Sequence, residues 1–155
     1  MIDAVIGARA AINPMTVNKN ELREFLRLMS RQEIDQRKPL WGSISALWLD
    51  TEMSEHDIEE VVKAIRVSGL SDGELTLIYR FDVAPAVYKN LLIVDGEWAY
   101  FDRSWLFTDI LRRRRRLRQS AVQRDVLLFL TRFTWTRKRM FHATDPLWQR
   151  CLDAR

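Results

Sequence analysis

The stretch SEHDIEEVVKAIRVSG (Ser54–Gly69) decides the fold class. Ser54 can accept a hydrogen bond from the amide three residues on, where Asp57 can answer it, so a helix starts here. Ile58, Val61, Val62 and Ile65 then recur at helical spacing and form one apolar face. Gly69 supplies the left-handed stop that ends many helices. The acids crowded into the first turns suit the positive end of the helix dipole. An isolated helix of this length is marginal in water, so its apolar face needs other elements to pack on.

The same grammar repeats outward along the chain. Asn18-x-x-Glu21 opens a helix over about 19–29 with Leu22, Phe25, Leu26 and Met29 on one side. A polar helical piece follows at 31–36. Pro39 stands where a helix can begin, since its missing N–H is not needed there, and Leu40, Trp41, Ile44, Leu47 and Trp48 stripe a helix over 39–50. Ser71-x-x-Glu74 opens another with Leu75, Ile78 and Tyr79, which Pro85 should stop at Ala84. Asp102 or Ser104 caps a helix from about 103, carrying Trp105, Leu106, Ile110 and Leu111. Ser120-x-x-Gln123 leads into AVQRDVLLFLTRF, apolar enough to be the most buried helix. Thr144-Asp145-Pro146 starts a last short one with Leu147, Trp148, Cys151 and Leu152. Only LLIVDGEWAYF (91–101) breaks the pattern. Its Asp95-Gly96 signals either a short hairpin near 92–100 or an irregular linker.

The run ILRRRRRLRQS (110–120) tests the helical reading. Successive helical residues turn by about 100°, so five arginines in a row encircle the helix. A buried stripe through Phe107, Ile110, Leu117 and Ala121 passes through Arg114. Arg114 must snorkel or pair with a carboxylate, or the helix breaks or projects near 112–119.

These signals predict an all-α, compact single-domain bundle of six or seven helices spanning residues 1–155, with 1–15 flexible. At 155 residues one domain is expected, with a core of useful size. Five Gly and four Pro leave little room for long loops, and six Trp is high, a residue enriched in binding hot spots as well as in cores. The one cysteine, Cys151, cannot form an internal disulfide, which fits a cytoplasmic compartment. The longest apolar run, Val126 to Leu130, falls far short of the roughly 20 residues of a membrane span. Arg9 and Asp3 spoil the N-terminus as a signal peptide. The net charge of +4 hides an asymmetry. Residues 1–102 carry 11 Lys and Arg against 17 Asp and Glu, while residues 103–155 carry 14 against 4.

Catalytic chemistry is sparse, and the expectation is a protein that is not an enzyme, with no catalytic residues, cofactor or metal. There are two histidines, His56 and His142, and no phosphate-binding glycine loop, nucleophile elbow or H-E-x-x-H motif. In DTEMSEHDIEE (50–60) a Ca²⁺ loop starting at Asp50 would need Gly and Glu where Glu55 and Val61 stand. A di-iron motif would need Glu three residues before His56, where Met53 stands. The cluster reads better as an acidic face for a partner, formed by Asp50, Glu52, Glu55, Asp57, Glu59 and Glu60. The opposing candidate is an anion-binding surface of Arg112, Arg113, Arg114, Arg115, Arg116, Arg118, Arg137, Lys138 and Arg139.

Two blocks carry a resemblance. RKPLWGSISALWLDTEMSEHDI (37–58) and VAPAVYKNLLIVDGEWAYFDRSWL (83–106) resemble an uncharacterised bacterial family with the patterns R-x-P-V-W-x-A-L-S-x-L-F-L-D-T-E and N-L-L-x-V-x-G-E-W-A-x-F-D. Pro39, Trp41, Asp50, Thr51, Glu52, Pro85, Gly96, Glu97 and Trp98 are among the matching positions. The resemblance covers about residues 37–106 and implies a compact bacterial protein of unknown function, with the arginine run outside the shared core. The expected function is protein binding, most concretely as an immunity protein that neutralises a toxin domain in bacterial competition. The alternative partner is nucleic acid, gripped by the basic C-terminal third.

Overall fold

A computed structural model of the chain describes residues 17–49, 52–88 and 102–155, and the described residues are helical with no strand. The hairpin expected near 92–100, the N-terminal 15 residues and Asp50 lie outside them. In order come α1 (Lys19–Phe25), α2 (Arg31–Ser45) with a 3₁₀ turn (Ala46–Trp48), α3 (Glu55–Ser68) and α4 (Asp72–Leu77). A π turn (Ile78–Val83) leads to α5 (Ala84–Val87), followed by α6 (Arg103–Gln119), α7 (Ala121–Arg132), α8 (Thr134–Phe141) and α9 (Asp145–Asp153). No helix among the described residues is long and apolar enough to cross a membrane.

The local start signals do what their chemistry requires. Asn18, Ser54 and Ser71 close full capping boxes with Glu21, Asp57 and Glu74. Ser120 accepts from the Gln123 amide, and Gly69 ends α3 at φ 64°.

The two prolines behave differently from expectation. Pro39 does not start a helix: Ser30 and Glu33 form the capping box, and Pro39 lies inside α2. Pro39 and Asp35 are both exposed, and a carbonyl left without its helical donor costs least where water can reach it. Nor does Pro85 stop a helix at Ala84. The Ala84 amide donates to the Tyr79 carbonyl five residues back, and this widened π turn admits the proline ring into α5.

Of the alternatives for the arginine run, the structure takes the paired Arg114 and not the break: α6 runs to Gln119, and the corner falls at extended Ser120 (φ −125°, ψ 112°). The expectation that α7 is the most buried helix is overturned, since only Leu127, Leu128 and Thr131 of it are buried. α8 was not anticipated, because TWTRKRMF offers no apolar face at helical spacing.

The main core gathers Trp41, Ile44 and Trp48 with Ile58, Val61 and Ile65 of α3, and Leu106 and Ile110 of α6. Tyr79 sits at its aromatic centre, stacked on Trp148 at 4.7 Å and beside Trp48 at 5.0 Å. A second cluster joins Leu22, Leu26, Phe81, Leu117, Leu127 and Leu128, and Phe25 packs against both. Each such large apolar side chain contributes about 1.5–3 kcal/mol on burial.

Candidate functional site

The π turn puts two charged residues of one segment into the interior. Asp82 has a fully buried side chain. Arg114 of α6 donates to it at 2.6 Å, the Trp41 indole N–H at 3.1 Å, and Arg37 of α2 lies 3.7 Å away. Arg114 also donates to the Phe25 carbonyl, and its guanidinium lies 4.7 Å from the Phe25 ring centre. So one of the residues in the arginine run is a core residue, and one carboxylate is shared by side chains of two helices, α2 and α6. Arg80, on the same turn, binds Asp145 through both oxygens at 3.2 Å. Tyr79 donates to Asp145 at 2.9 Å and lies 2.7 Å from the Thr144 hydroxyl. Burial first, then the Asp145 charge, push the Tyr79 phenol well above its ordinary pKa, so it stays a hydrogen-bond donor.

Burial pushes the Cys151 thiol up to about 11, against a weaker pull from Arg150. Its side chain is fully enclosed in the main core. Among the described residues no three His, Cys, Asp or Glu side chains gather as a metal ion requires.

Of the acidic candidates, the described Glu52, Glu55, Asp57, Glu59 and Glu60 are exposed just before or in the first turns of α3, but two of them are occupied. Glu55 pairs with Arg150 of α9, which lowers its pKa. Asp57 accepts from the Ser54 hydroxyl at 2.6 Å and its amide at 2.8 Å, which holds its carboxyl below the usual range. Glu52, Glu59 and Glu60 remain as the outward charge.

The basic candidates divide in the same way. Arg112 and Arg113 pair with Asp109, at 3.9 and 2.6 Å. Arg114 is internal. Arg115, Arg116 and Arg118 are exposed. On α8, Arg137 is half-buried and Lys138 and Arg139 are exposed, with Arg139 over the Trp135 ring at 4.5 Å.

The surface that sequence reasoning missed is apolar. Val122, Val126, Phe129 and Phe133 are 72, 50, 62 and 49% exposed. Their spacing of i, i+4, i+7 and i+11 keeps them within roughly 60° around the axis. Phe129 and Phe133 stack at 5.5 Å, and Trp135, 60% exposed, follows on α8. Phe129 and Phe133 also line a groove of ≈ 570 Å³ against the start of α1, bordered by Arg132 and by the Lys19–Asp125 ion pair. The signal was present: AVQRDVLLFLTRF is apolar on two sides, and only one can face the core.

No curated protein and no solved structure matches the chain. One family model does, and it extends well beyond residues 37–106, so the arginine run and the apolar stripe of α7 both lie within the family's span. The chain belongs to the family described as a domain of unknown function (DUF7079), whose model matches residues 35–150.

Proposed function

We propose that the protein is a non-enzymatic protein-binding module, most concretely an immunity protein that neutralises a toxin domain in bacterial competition. The observation that carries the binding reading is the α7 stripe of Val122, Val126, Phe129 and Phe133 with neighbouring Trp135. Contiguous exposed aromatic surface of this kind is costly in a monomer and marks interaction sites. The stripe belongs to the basic third of the chain, where 14 Lys and Arg face 4 Asp and Glu. Its complement is therefore an apolar helical ridge flanked by acidic residues, on a toxin domain whose contact surface is acidic. This moves the proposed contact away from Glu52, Glu59 and Glu60.

The test is co-expression with the proteins encoded beside its gene. One of them should be toxic alone and harmless in its presence. The double variant Phe129→Asp/Phe133→Asp should weaken that complex by about a hundredfold or more, as two lost hot-spot residues do. Both side chains are outside the core, so stability should stay within about 1 kcal/mol of the parent. Absence of a toxic neighbour overturns the immunity reading. A complex indifferent to the double variant overturns the stripe as its contact.

A second reading is favoured by the outward Arg115, Arg116 and Arg118. Gripping a duplex through these three phosphate contacts predicts a log–log salt slope of about −2.7. No duplex binding at about 50 mM salt removes that reading.

A further inference from the structure

The corner at Ser120 has a chemical consequence. It brings Arg118, at the end of α6, and Arg124, in the first turn of α7, onto one cleft of ≈ 470 Å³. Arg23 and Arg27 close the cleft from the end of α1, with Asn20 and Glu24. Among the described residues four arginines thus line the cleft beside one acidic residue, Glu24.

Two of the four already have partners. Arg27 pairs with Glu33 and donates to the Leu28 carbonyl at 3.2 Å. Arg124 donates to the Leu117 and Arg118 carbonyls at 2.7 and 3.0 Å, satisfying the end of α6. These bonds fix the walls of the cleft. Arg23 and Arg118 have no carboxylate within ion-pair distance among the described residues. Gathering like charges around a concavity is unfavourable unless an anion compensates it.

We infer that this cleft binds a compact multivalent phosphoanion of the di- or triphosphate class. Planar guanidinium forks match phosphate oxygens two at a time. The volume falls in the range of small-ligand sites, about 300–1,000 Å³. No aromatic ring among the described residues lines the cleft, so they offer no platform on which a base could stack, and the phosphate chain itself is the recognised group. The inference is independent of the protein-binding reading, because the α7 stripe lines a different groove.

Calorimetric titration of the full chain with inorganic tripolyphosphate tests it, at about 100 mM salt where diffuse charge attraction is screened beyond roughly 10 Å. One saturable site is expected. Arg23→Ala and Arg118→Ala should each weaken it about tenfold, the effect of losing one charge-assisted hydrogen bond. Arg116→Ala removes the same charge from the opposite side of α6 and should leave affinity within about twofold. Phe129→Asp should also leave it unchanged. A duplex DNA of equal phosphate concentration should compete poorly, and competition that depends on Arg116 rather than Arg118 assigns the cations to nucleic acid instead. Absence of saturation, or equal losses in Arg116→Ala and Arg118→Ala, overturns the site. All three arginines are exposed, and unchanged melting of each variant separates lost binding from lost fold.

Discussion

Asp82→Ala is expected to destabilise the protein by about 3–5 kcal/mol, the cost of breaking a buried ion pair from one side. Asp82 is the acceptor for Arg114 at 2.6 Å and for the Trp41 indole at 3.1 Å, with Arg37 at 3.7 Å. Its loss leaves the Arg114 guanidinium, 3% exposed, without a counter-charge in the core. The Phe25 ring and carbonyl stabilise that cation but cannot replace a carboxylate. At this chain length each kcal/mol moves the melting midpoint by roughly 2–4 °C, so a fall of about 10 °C is expected. Asp82→Asn keeps the shape and an acceptor for Trp41 but not the charge, so most of the loss should remain. Asp82→Leu combined with Arg114→Met removes both charges and should recover part of the stability, since apolar replacements of a buried pair are often tolerated. Urea unfolding measures all three. A loss below about 1 kcal/mol in Asp82→Ala, the scale of an exposed pair, would show that the pair is not a buried one in solution.

Trp48→Ala should cost a comparable amount, about 3–5 kcal/mol. The side chain is fully buried, packs 5.0 Å from the Tyr79 ring, and donates its indole N–H to the Met140 carbonyl at 3.0 Å. That bond ties the 3₁₀ turn after α2 to α8, a helix with no apolar face of its own. Truncation therefore opens a cavity and also deprives a buried carbonyl of its donor. Trp48→Phe should fall between, because it restores ring volume but not the hydrogen bond. Trp135→Ala is the control: at 60% exposure it should change stability by less than about 0.5 kcal/mol. Equal losses at the two tryptophans would contradict the distinction between core and surface on which the proposed binding face depends.

Both predictions concern groups whose importance the sequence only half disclosed. Helical geometry left either an Arg114 that snorkels or pairs with a carboxylate, or a helix that breaks or projects near 112–119, and the apolar stripe singled out Arg114 among the five. Its partner could not be read that way, because Asp82 is 32 positions earlier and reaches the core through a π turn. The acidic cluster at 50–60 looked functional by density. In the fold, a helix start and a surface ion pair already use Asp57 and Glu55. The apolar face on α7 was read as burial, because composition records how apolar a helix is and not which of its sides meets another element.

The sequence by itself determined where the capped helices at Asn18, Ser54, Ser71 and Ser120 begin and that the fold is all-α. Capping boxes and the stop at Gly69 involve groups a few residues apart, and those contacts depend on little else. Proline was legible only in part, since its cost depends on its surroundings: an exposed helix position at Pro39, a widened turn just before Pro85. Only the tertiary structure decided which carboxylate neutralises Arg114, which side of α7 stays exposed, and which four arginines share a cleft. Those outcomes are set by packing between elements far apart in the chain, where many apolar and charged pairings compete and the winner is fixed by the whole assembly of helices.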